Sequence, residues 1–320
     1  MSRTVLVTGG AGFIGSHLAD AFVDAGERVV VLDDLSSGRR ENVPRSADLE
    51  VLDVRSAAAA QLVARLRPQL LVHQAAQMDV RRSVADPVFD VQVNVAGTLN
   101  LLEACRASGT RRVLFASTGG AIYGEQEVHP APEEHPLRPR SPYGVAKLAV
   151  ERYLDFYHQE YGLEAVCLRY ANVYGERQNP HGEAGVVAIF LDRLLAGEAV
   201  TINGDGLQTR DYLHVSDVVR ANLAAADLPA GAGFRVYNVG TGRETTVVDL
   251  YRLLAAAVAS ELPPGHGPAK GGEQRRSSVD ARRLHRDLDV PSPLPLEEGL
   301  GRVAKWFQVR QLADSPAGPS

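Results

Sequence analysis

The amino-acid sequence predicts an α/β protein, built on a doubly wound parallel sheet with a smaller C-terminal α/β region. Three observations support this fold class. Short runs of Val, Leu and Ile alternate with helical patterns through the first half of the chain. The runs are almost uniformly apolar, as in parallel strands that are buried on both faces. A glycine-rich turn joins the first run directly to the first helical pattern, as in mononucleotide-binding βαβ units.

The strands and helices of this half follow in order along the chain. The apolar runs predict strands at 4–8, 28–33, 49–54, 70–76, 111–117 and 164–170. Apolar residues at helical spacing predict helices at 13–26, 57–67, 86–108 and 142–161. Helices that connect parallel strands cross over the faces of the sheet, so this order predicts a Rossmann-type fold.

After residue 170 the pattern loosens, and short elements alternate with loops rich in Gly, Asn and Pro. We expect residues 1–170 to form the sheet domain, with segments near 210–240 returning to it. Residues 171–312 are expected to form mainly the second region. Residues 313–320 lack apolar periodicity, which predicts a disordered tail.

Composition and charge exclude several classes of protein. The 320 residues are 45% hydrophobic and 23% charged, with a net charge of −5, so neither nucleic acid nor a membrane surface is an expected partner. No stretch approaches the ~18 uncharged apolar residues of a membrane span. The chain opens on a strand without a cationic leader, and Cys105 and Cys167 lie in apolar segments. We therefore expect buried free thiols and a cytoplasmic protein.

The glycine-rich turn, TGGAGFIG at 8–15, contains three regularly spaced glycines. They are Gly9, Gly12 and Gly15. Glycine allows a tight turn in which backbone N–H groups approach a pyrophosphate at the helix N-terminus. The second strand ends in Asp33, whose carboxylate can bind the hydroxyls of an adenosine ribose and repels a 2′-phosphate. This combination predicts NAD as the cofactor, although Arg39 and Arg40 could bind a phosphate.

A second motif lies at the start of the helix predicted at 142–161, where Tyr143 and Lys147 are one turn apart on one face. A free tyrosine, with a pKa of about 10, is a poor base at neutral pH. A neighbouring ammonium stabilises the phenolate, so we expect Lys147 to lower the pKa of Tyr143. Ser117 and Thr118 end the preceding strand, at the edge where open α/β sheets bind ligands. Together these residues predict a proton-transfer site for hydride chemistry.

Several segments together resemble the extended short-chain dehydrogenase/reductase family, and within it the nucleotide-sugar epimerase group. They are TGGAGFIGSHL, the Tyr143/Lys147 pair, VNVAGTLNLLEAC, LRYANVYG and GDGLQTRDYLHVSDVVRA. The likeness runs from residue 3 to about residue 308. It implies an NAD-binding domain at 1–170, a nucleotide-sugar-binding region at 171–312, and no metal in the site.

The resemblance also implies three sets of site residues. The catalytic residues would be Thr118, Tyr143 and Lys147, with Ser117 as the alternative hydroxyl. The cofactor-binding residues would be Gly9, Gly12, Phe13, Ile14, Gly15, Asp33, Asp34, Leu35, Ser36, Ser37, Gly38, Asp53, Val54, Gln74, Ala75, Ala76, Asn94, Tyr143, Lys147 and Tyr170. The substrate-binding residues would be Thr118, Tyr143, Asn172, Arg210, Glu273 and Arg276.

Three of these residues have an alternative role outside the binding site. Asp53 either flanks the adenine or caps a helix. Asn94 either joins the cofactor shell or hydrogen-bonds within helix turns. Arg210, suited to a diphosphate by its planar pair of donors, could instead pair with Asp211.

Two more positions concern the nucleotide and the sugar. Lys270 replaces an arginine that the family often has near the nucleotide, so either Lys270 or Arg276 is the expected nucleotide contact. Ser277 lies where the family sets the size of the sugar pocket, and a small residue there would admit N-acetylated sugars.

The activity that the resemblance implies is inversion of C4 in a UDP-hexose, such as UDP-glucose or UDP-galactose, through a 4-keto intermediate. It also implies a homodimer formed through the helices near 86–108 and 142–161. UDP-glucuronate 4-epimerisation or decarboxylation is an alternative, for which Arg81, Arg82 or Arg177 could hold the carboxylate. A 4,6-dehydratase is disfavoured because Gly119 and Gly120 replace its acid/base pair. A catalytically silent NAD-binding sensor is the alternative from another class.

Overall fold

The computed structural model describes residues 2–181, 185–269 and 274–314. Its strands are β1 (Thr4–Thr8), β2 (Arg28–Asp33), β3 (Asp48–Val51), β4 (Leu70–His73), β5 (Arg112–Thr118), β6 (Glu164–Tyr170), β7 (Asn172–Tyr174), β8 (Thr201–Asn203), β9 (Thr209–Arg210), β10 (Tyr212–His214), β11 (Phe234–Val239), β12 (Thr245–Thr246) and β13 (Gly265–Gly267). Its helices are α1 (Phe13–Asp24), α2 (Ala57–Leu66), α3 (Val80–Ala85), α4 (Pro87–Val91), α5 (Gly97–Ser108), α6 (Pro142–Tyr161), α7 (Val186–Leu195), α8 (Val215–Ala226), α9 (Val247–Ala257), α10 (Arg282–Leu288) and α11 (Leu296–Asp314).

Seven strands form one parallel sheet, in the order β11-β6-β5-β4-β1-β2-β3. The chain moves outward from β1 through β2 to β3, and then returns to the other side of β1 to add β4, β5 and β6. The direction of winding therefore reverses between β1 and β4, and doubly wound sheets bind ligands at the carboxyl end of such a reversal. The predicted α/β fold with a doubly wound parallel sheet is confirmed.

Helices cover both faces of this sheet and bury its apolar side chains. On one face, Leu18 and Phe22 of α1 are fully buried beside residues of α8. On the other face, Leu62, Leu101 and Leu154 contribute α2, α5 and α6 to a second core. A third core joins α7, α9 and α11 in the C-terminal half. This layered packing explains why the strands are apolar on both sides.

Two predicted strands are shorter in the structure, each ending opposite the last residue of one neighbouring strand, although β5 on the other side of β4 continues to Thr118. β3 pairs with β2 only as far as Val51, opposite Asp33. β4 ends at His73, opposite Thr8 at the end of β1. The apolar residues that follow each strand belong to loops at the carboxyl edge of the sheet. These loops therefore contribute to the ligand-binding edge instead of extending the sheet.

The helix predicted at 86–108 is continuous but not uniform, because a π-helical segment, Gln92–Ala96, separates α4 from α5. The hydroxyl of Thr98 donates to the carbonyl of Asn94 over 2.7 Å, within this irregular turn. Such π segments often occur at functional sites. The turn carries the side chain of Asn94 towards the loop that follows β4.

At the C-terminus, α11 extends through Asp314, two residues into the predicted tail. The first residue there that opposes helix is Pro316, which explains the longer helix. Residues 315–320, the remainder of that predicted tail, lie outside the described residues. Among those described, no helix is both long enough and apolar enough to cross a bilayer.

Candidate active site

The site begins at the N-terminus of α6. Ser141 caps this helix, its hydroxyl accepting a hydrogen bond from the N–H of Gly144 over 3.1 Å, and Pro142 occupies the first turn. Both are favoured residues for starting a helix. The start of α6 also packs closely on the loop after β5, since a Cβ on Gly144 would lie 2.8 Å from the carbonyl oxygen of Ala121. Tyr143 is thereby placed at the carboxyl edge of the sheet.

Lys147 lies one turn further along α6 and is buried. Its Nζ donates to the carbonyl oxygen of Ala116 in β5 over 2.8 Å. The same atom is 4.8 Å from the ring centroid of Phe115 and 5.7 Å from that of Tyr143. Burial lowers the pKa of Lys147 to about 8. The ammonium is therefore held between the central sheet and the phenol.

The expectation that Lys147 lowers the pKa of Tyr143 is wrong for the protein by itself. Removal of the phenol from water raises the pKa of Tyr143, and the negative charge of Asp90 raises it further. The lysine ammonium bonds to Ala116 instead of to the phenol oxygen. Burial therefore outweighs the attraction between the ammonium and a phenolate.

The two candidate hydroxyls at the end of β5 face different surroundings. Ser117 is 3% exposed, and its hydroxyl donates to Oε1 of Glu151 over 2.5 Å. Thr118 is partly exposed, and its Oγ1 accepts a hydrogen bond from the N–H of Ala121 over 3.2 Å. Ser117 thus points into the packed layer beneath the sheet edge. Thr118 has a hydroxyl proton that can be donated to a ligand.

Thr118 shares its space with Asn172, which starts β7. A Cβ placed on Gly120 would lie 4.0 Å from Oγ1 of Thr118 and 3.7 Å from Oδ1 of Asn172. Both side chains therefore lie beside Gly120, which places no side chain of its own between them. The carboxylate of a dehydratase pair has no counterpart at this position.

The glycine turn forms a close-packed cradle between β1 and α1. Gly9 has a φ of +68°, and a Cβ there would lie 2.7 Å from the N atom of Ala75. A Cβ on Gly15 would lie 2.1 Å from the carbonyl oxygen of Gly9. Within the described residues, no side chain caps α1 at Gly12, so the N–H groups of its first turn, including those of Phe13 and Ile14, can bind an anion. This cradle fits the pyrophosphate of NAD.

The loop after β2 surrounds the expected adenosine site. The carboxylate of Asp33 accepts hydrogen bonds from the N–H groups of Ala11 and Leu35, each over 2.9 Å. A Cβ on Gly38 would lie 2.8 Å from the same carboxylate, so the loop closes tightly around it. Burial raises the pKa of Asp33. Because each carboxylate oxygen has a second lone pair, Asp33 can still accept a ribose hydroxyl.

The remaining residues of this loop are more exposed. Oδ1 of Asp34 accepts both the N–H and the hydroxyl of Ser36, over 2.9 and 2.6 Å. Ser37 follows Ser36 and precedes Gly38 in the same loop. Arg39, which could have favoured a phosphate, is 3.7 Å from Glu41.

Asp53 does not cap a helix. Ser56 caps α2, its hydroxyl accepting from the N–H of Ala59. Asp53 instead forms an ion pair with Arg55 over 2.5 Å. Val54 is buried in the core. The alternative that assigned Asp53 to a helix cap is therefore wrong, and a place near the adenine stays a prediction.

The segment after β4 is held by side chains from distant strands and helices. Nε2 of Gln74 donates to the hydroxyl of Tyr170 over 3.3 Å, and Asn222 donates to the same hydroxyl over 2.9 Å. The N–H of Ala75 donates to Oγ1 of Thr8 over 3.2 Å. Ala76 follows directly. Burial raises the pKa of Tyr170 to about 12, and its hydroxyl, held by Asn222, positions the side chain of Gln74.

Asn94 is buried, and its amide groups bind protein. Its Oδ1 accepts the N–H of Gln77 over 2.9 Å, while its Nδ2 donates to the carbonyl of Gln77 and to Oδ1 of Asp90. These bonds go across to the loop after β4 and along the helix. Asn94 therefore positions that loop instead of presenting its amide to a cofactor.

The predicted diphosphate ligand Arg210 lies beside the segment that resumes at residue 274. Its Nη1 donates to the carbonyl oxygens of Thr209 and Gln274 over 2.7 and 2.9 Å. The carboxylate of Asp211, its alternative partner, accepts from Thr241, Gly242 and Val279. Backbone carbonyls therefore hold the guanidinium of Arg210, while the carboxylate of Asp211 bonds to other groups.

Two further nucleotide contacts were predicted between 270 and 276. Lys270 and Glu273 lie outside the described residues. Arg276 is exposed and forms an ion pair with Glu244 over 2.5 Å. The guanidinium of Arg276 is therefore already paired with the carboxylate of Glu244. Ser277, the predicted determinant of pocket size, is buried.

The arginines proposed to hold a substrate carboxylate have other partners. Arg177 pairs with Asp20 of α1 over 2.7 Å. The guanidinium of Arg82 lies 4.2 Å from the ring centroid of Phe89 and is exposed. Arg81 is exposed as well. These contacts do not support a dedicated carboxylate pocket.

Sequence reasoning missed two buried polar residues beside the site. Asp90 is completely buried on α4. His73, at the end of β4, lies between the hydroxyls of Thr8 and Thr98, at 2.7 and 2.9 Å. Burial lowers the pKa of His73 to about 3, so this imidazole is neutral. The only signal in the sequence was a polar residue within an otherwise apolar face.

Comparison with known proteins agrees with this geometry. A model of the NAD-dependent epimerase/dehydratase family matches residues 5–240. The UDP-glucose 4-epimerase of Mycolicibacterium smegmatis is 45% identical over 308 residues, which are 95% of this chain and 98% of that relative.

Solved structures extend the likeness to three dimensions. The UDP-glucose 4-epimerase of Thermotoga maritima, crystallised with UDP-glucose, matches with a TM-score of 0.93 at 44% identity, covering 96% of this chain and 99% of that one. The UDP-glucose 4-epimerase of Thermus thermophilus, in complex with NAD, has a TM-score of 0.89 at 44% identity, covering 95% and 99%. Because the family model spans most of the chain and a close relative covers nearly all of it, the chain belongs to the NAD-dependent epimerase/dehydratase family.

Proposed function

We propose that this protein is an NAD-dependent 4-epimerase of UDP-hexoses that interconverts UDP-glucose and UDP-galactose. One observation carries the proposal. Tyr143, Lys147 and Thr118 border the carboxyl edge of the sheet beside a glycine cradle suited to NAD. They do so in a chain that is 44–45% identical to UDP-glucose 4-epimerases along nearly its full length.

The cofactor is held by the backbone cradle and the loops around it. The first turn of α1 binds the pyrophosphate, and Asp33 binds the adenosine ribose. The loop after β4, positioned by Tyr170 and Asn94, lies against the nicotinamide half. Bound there, NAD would supply the hydride acceptor for C4 of the sugar, the donor for the hydride's return, and a positive charge in its oxidised form.

The residues of this chain move the proton. As the phenolate, with its own proton already released to solvent, Tyr143 takes the proton of the sugar 4-hydroxyl as C4 is oxidised, leaving a 4-keto sugar, and gives it back when C4 is reduced. The Thr118 hydroxyl donates a hydrogen bond to the reacting oxygen. The Lys147 ammonium stabilises the negative charge on the phenol during transfer. Because Lys147 is buried, its charge acts through little water.

Inversion requires that the sugar turn over while the nucleotide stays bound. Asn172 and Arg210 would anchor the diphosphate, and the lack of a side chain at Gly120, beside Thr118 and Asn172, would leave the hexose room to rotate. The residues after 170, apart from the α8 and β11 segments that pack on the central sheet, would form most of this substrate region. The small Ser277 makes N-acetylated hexoses a possible second substrate class to be tested.

The test uses the purified holoenzyme, with its NAD content measured. UDP-galactose should be converted to UDP-glucose, seen by proton NMR of the products. Tyr143→Phe should lose on the order of 10²–10⁴-fold in kcat at unchanged NAD content.

Other outcomes would replace this proposal. A 4-keto-6-deoxy product from a dTDP-hexose would identify a dehydratase. Release of CO₂ from UDP-glucuronate would identify a decarboxylase. Bound NAD without turnover of any of these sugars would favour a silent sensor.

We also propose that the protein is a cytoplasmic homodimer. Exposed apolar side chains lie on α4 and α6, the helices that the family resemblance assigns to the subunit interface. They are Val88, Val91, Val145, Tyr153, Phe156 and Tyr161. Both cysteines are buried free thiols, which suits a reducing compartment.

A further inference from the structure

We infer that the buried carboxylate of Asp90 is the electrostatic partner of the Tyr143–Lys147 pair and serves as a positioning residue for proton transfer. The inference deepens the proposed epimerase function and rests on it for its kinetic consequence. Asp90 belongs to α4, which packs against α6, and is not among the residues that the family resemblance assigned to the site.

One carboxylate oxygen of Asp90, Oδ1, fixes the position of the side chain through two hydrogen bonds. Oδ1 accepts hydrogen bonds from Nε2 of Gln77 and from Nδ2 of Asn94, each over 3.0 Å. Asn94 sits in the π-helical turn, which brings its amide back towards Asp90 and the loop after β4. The carboxylate is therefore fixed by two donors that come from different segments.

The second oxygen of the Asp90 carboxylate differs from the first in its bonding. Oδ2 of Asp90 is buried and has no hydrogen-bond partner among residues 2–181, 185–269 and 274–314. A buried carboxylate oxygen without a donor is expensive unless a positive charge compensates it. Lys147, on the adjacent helix α6, is the buried ammonium whose charge would compensate Asp90, across a distance longer than an ion-pair contact. The charge of Asp90 is felt at both catalytic side chains, raising the pKa of Lys147 and that of Tyr143.

The other titratable groups around Asp90 are neutral, exposed to solvent, or bonded to other partners. From β4, the imidazole of His73 is neutral. From the start of α3, Asp79 caps its own helix through the N–H of Arg82, and Arg82 stacks on Phe89. From α6, Glu151 pairs with Arg169 over 2.6 Å. Lys147 is thus the buried cation that remains for Asp90 within the described part of the chain.

The direction of both pKa shifts follows from the negative charge of Asp90. Burial alone favours the neutral amine of Lys147, and the negative charge of Asp90 favours the ammonium. The same charge favours the neutral phenol of Tyr143. Asp90 therefore acts to raise the pKa of both members of the pair, and its removal should lower both.

A direct test is possible because the chain has only three lysines, Lys147, Lys270 and Lys305. Protein labelled with ¹³C at the lysine ε-carbons gives three signals, and Lys147→Arg identifies the one from Lys147. In the NAD-bound holoenzyme, Asp90→Asn should lower the titration midpoint of Lys147 by about one pH unit or more. This substitution preserves the Oδ1 acceptor and the side-chain shape.

Matched variants separate charge from structure. Asp86→Asn removes an equal charge at the exposed cap of the same helix and should leave the Lys147 titration unchanged. Asp90→Glu retains the charge and should keep the midpoint near that of wild type. If the asparagine variant does not fold, Asp90→Ser removes the charge with a smaller side chain and should show the same fall.

The pH profile of kcat gives a kinetic test of the same inference. Both limbs should move to lower pH in Asp90→Asn, since both pKa values fall. A loss of kcat at an unmoved profile, with the Lys147 midpoint within about 0.3 pH unit of wild type, would overturn the inference and leave Asp90 a purely structural residue. The titration needs no substrate, so it can succeed or fail independently of whether the protein epimerises UDP-hexoses.

Discussion

At the scale of single residues, the clearest feature is that the adjacent hydroxyls of Ser117 and Thr118 have different surroundings. Successive side chains of a strand point to opposite faces. Ser117 therefore enters the layer between β5 and α6, where it bonds to Glu151, while Thr118 reaches the open edge beside Asn172. Of these two hydroxyls, we therefore expect Thr118 to meet a substrate oxygen.

Replacing each hydroxyl separately tests this assignment. Ser117→Ala should lower the free energy of unfolding by about 1–3 kcal/mol, because Glu151 loses a buried hydrogen bond, while kcat changes little. Thr118→Ala should lower kcat on the order of 10²-fold, because a donor to the reacting oxygen is lost. Urea unfolding and steady-state kinetics measure the two effects. A larger kcat loss in the serine variant would reverse the assignment.

At the scale of elements, α6 is fastened to the sheet by two successive turns. Lys147 bonds to the backbone of β5. One turn later, Glu151 accepts from Ser117 in β5 and forms a buried ion pair with Arg169 in β6. Arg169 also donates to the hydroxyl of Tyr123. The catalytic pair is therefore positioned by a buried polar network beneath it.

Breaking this network should be costly. Arg169→Met should lower the free energy of unfolding by about 3–5 kcal/mol, because Glu151 is left as an uncompensated buried charge. Arg302→Met is a matched control, since Arg302 forms an exposed pair with Glu298 on α11 and should change stability by no more than about 0.5 kcal/mol. Chemical denaturation of both variants measures the difference. Equal small effects would show that the buried pair does not stabilise α6.

At the scale of the whole molecule, the apolar residues on α4 and α6 leave one helical face without a partner in the single chain. Large exposed apolar patches mark interaction sites in soluble proteins. The same two helices carry Asp90, Tyr143 and Lys147 on their inner sides. Subunit association would therefore support the helices that position the proton-transfer residues.

Sedimentation equilibrium tests the dimer. The wild-type protein should sediment at twice the mass of the chain, 34.4 kDa. Phe156→Glu should shift it to the monomer, because a carboxylate would be buried in the apolar interface. Val309→Glu, at an exposed position on α11, is the control and should remain dimeric. A wild-type monomer at micromolar concentration would contradict the proposal.

The sequence by itself determined the fold class, the glycine cradle and the register of the Tyr143/Lys147 pair. These features are local or periodic: apolar runs mark buried strands, glycine permits the turn, and a spacing of four places two side chains on one helical face. The same locality explains the errors at the ends of β3 and β4. Where a strand ends depends on its hydrogen-bonded partners, which are distant in sequence.

Tertiary structure decided which hydroxyl is available, which way the pKa of Tyr143 shifts, and which arginines are already paired. It also revealed Asp90. Each of these outcomes depends on side chains brought together from separate segments, as in the bond between Ser117 and Glu151 across 34 residues of sequence. Electrostatic effects depend on burial and on the charges nearby, and both are set only when the helices pack on the sheet.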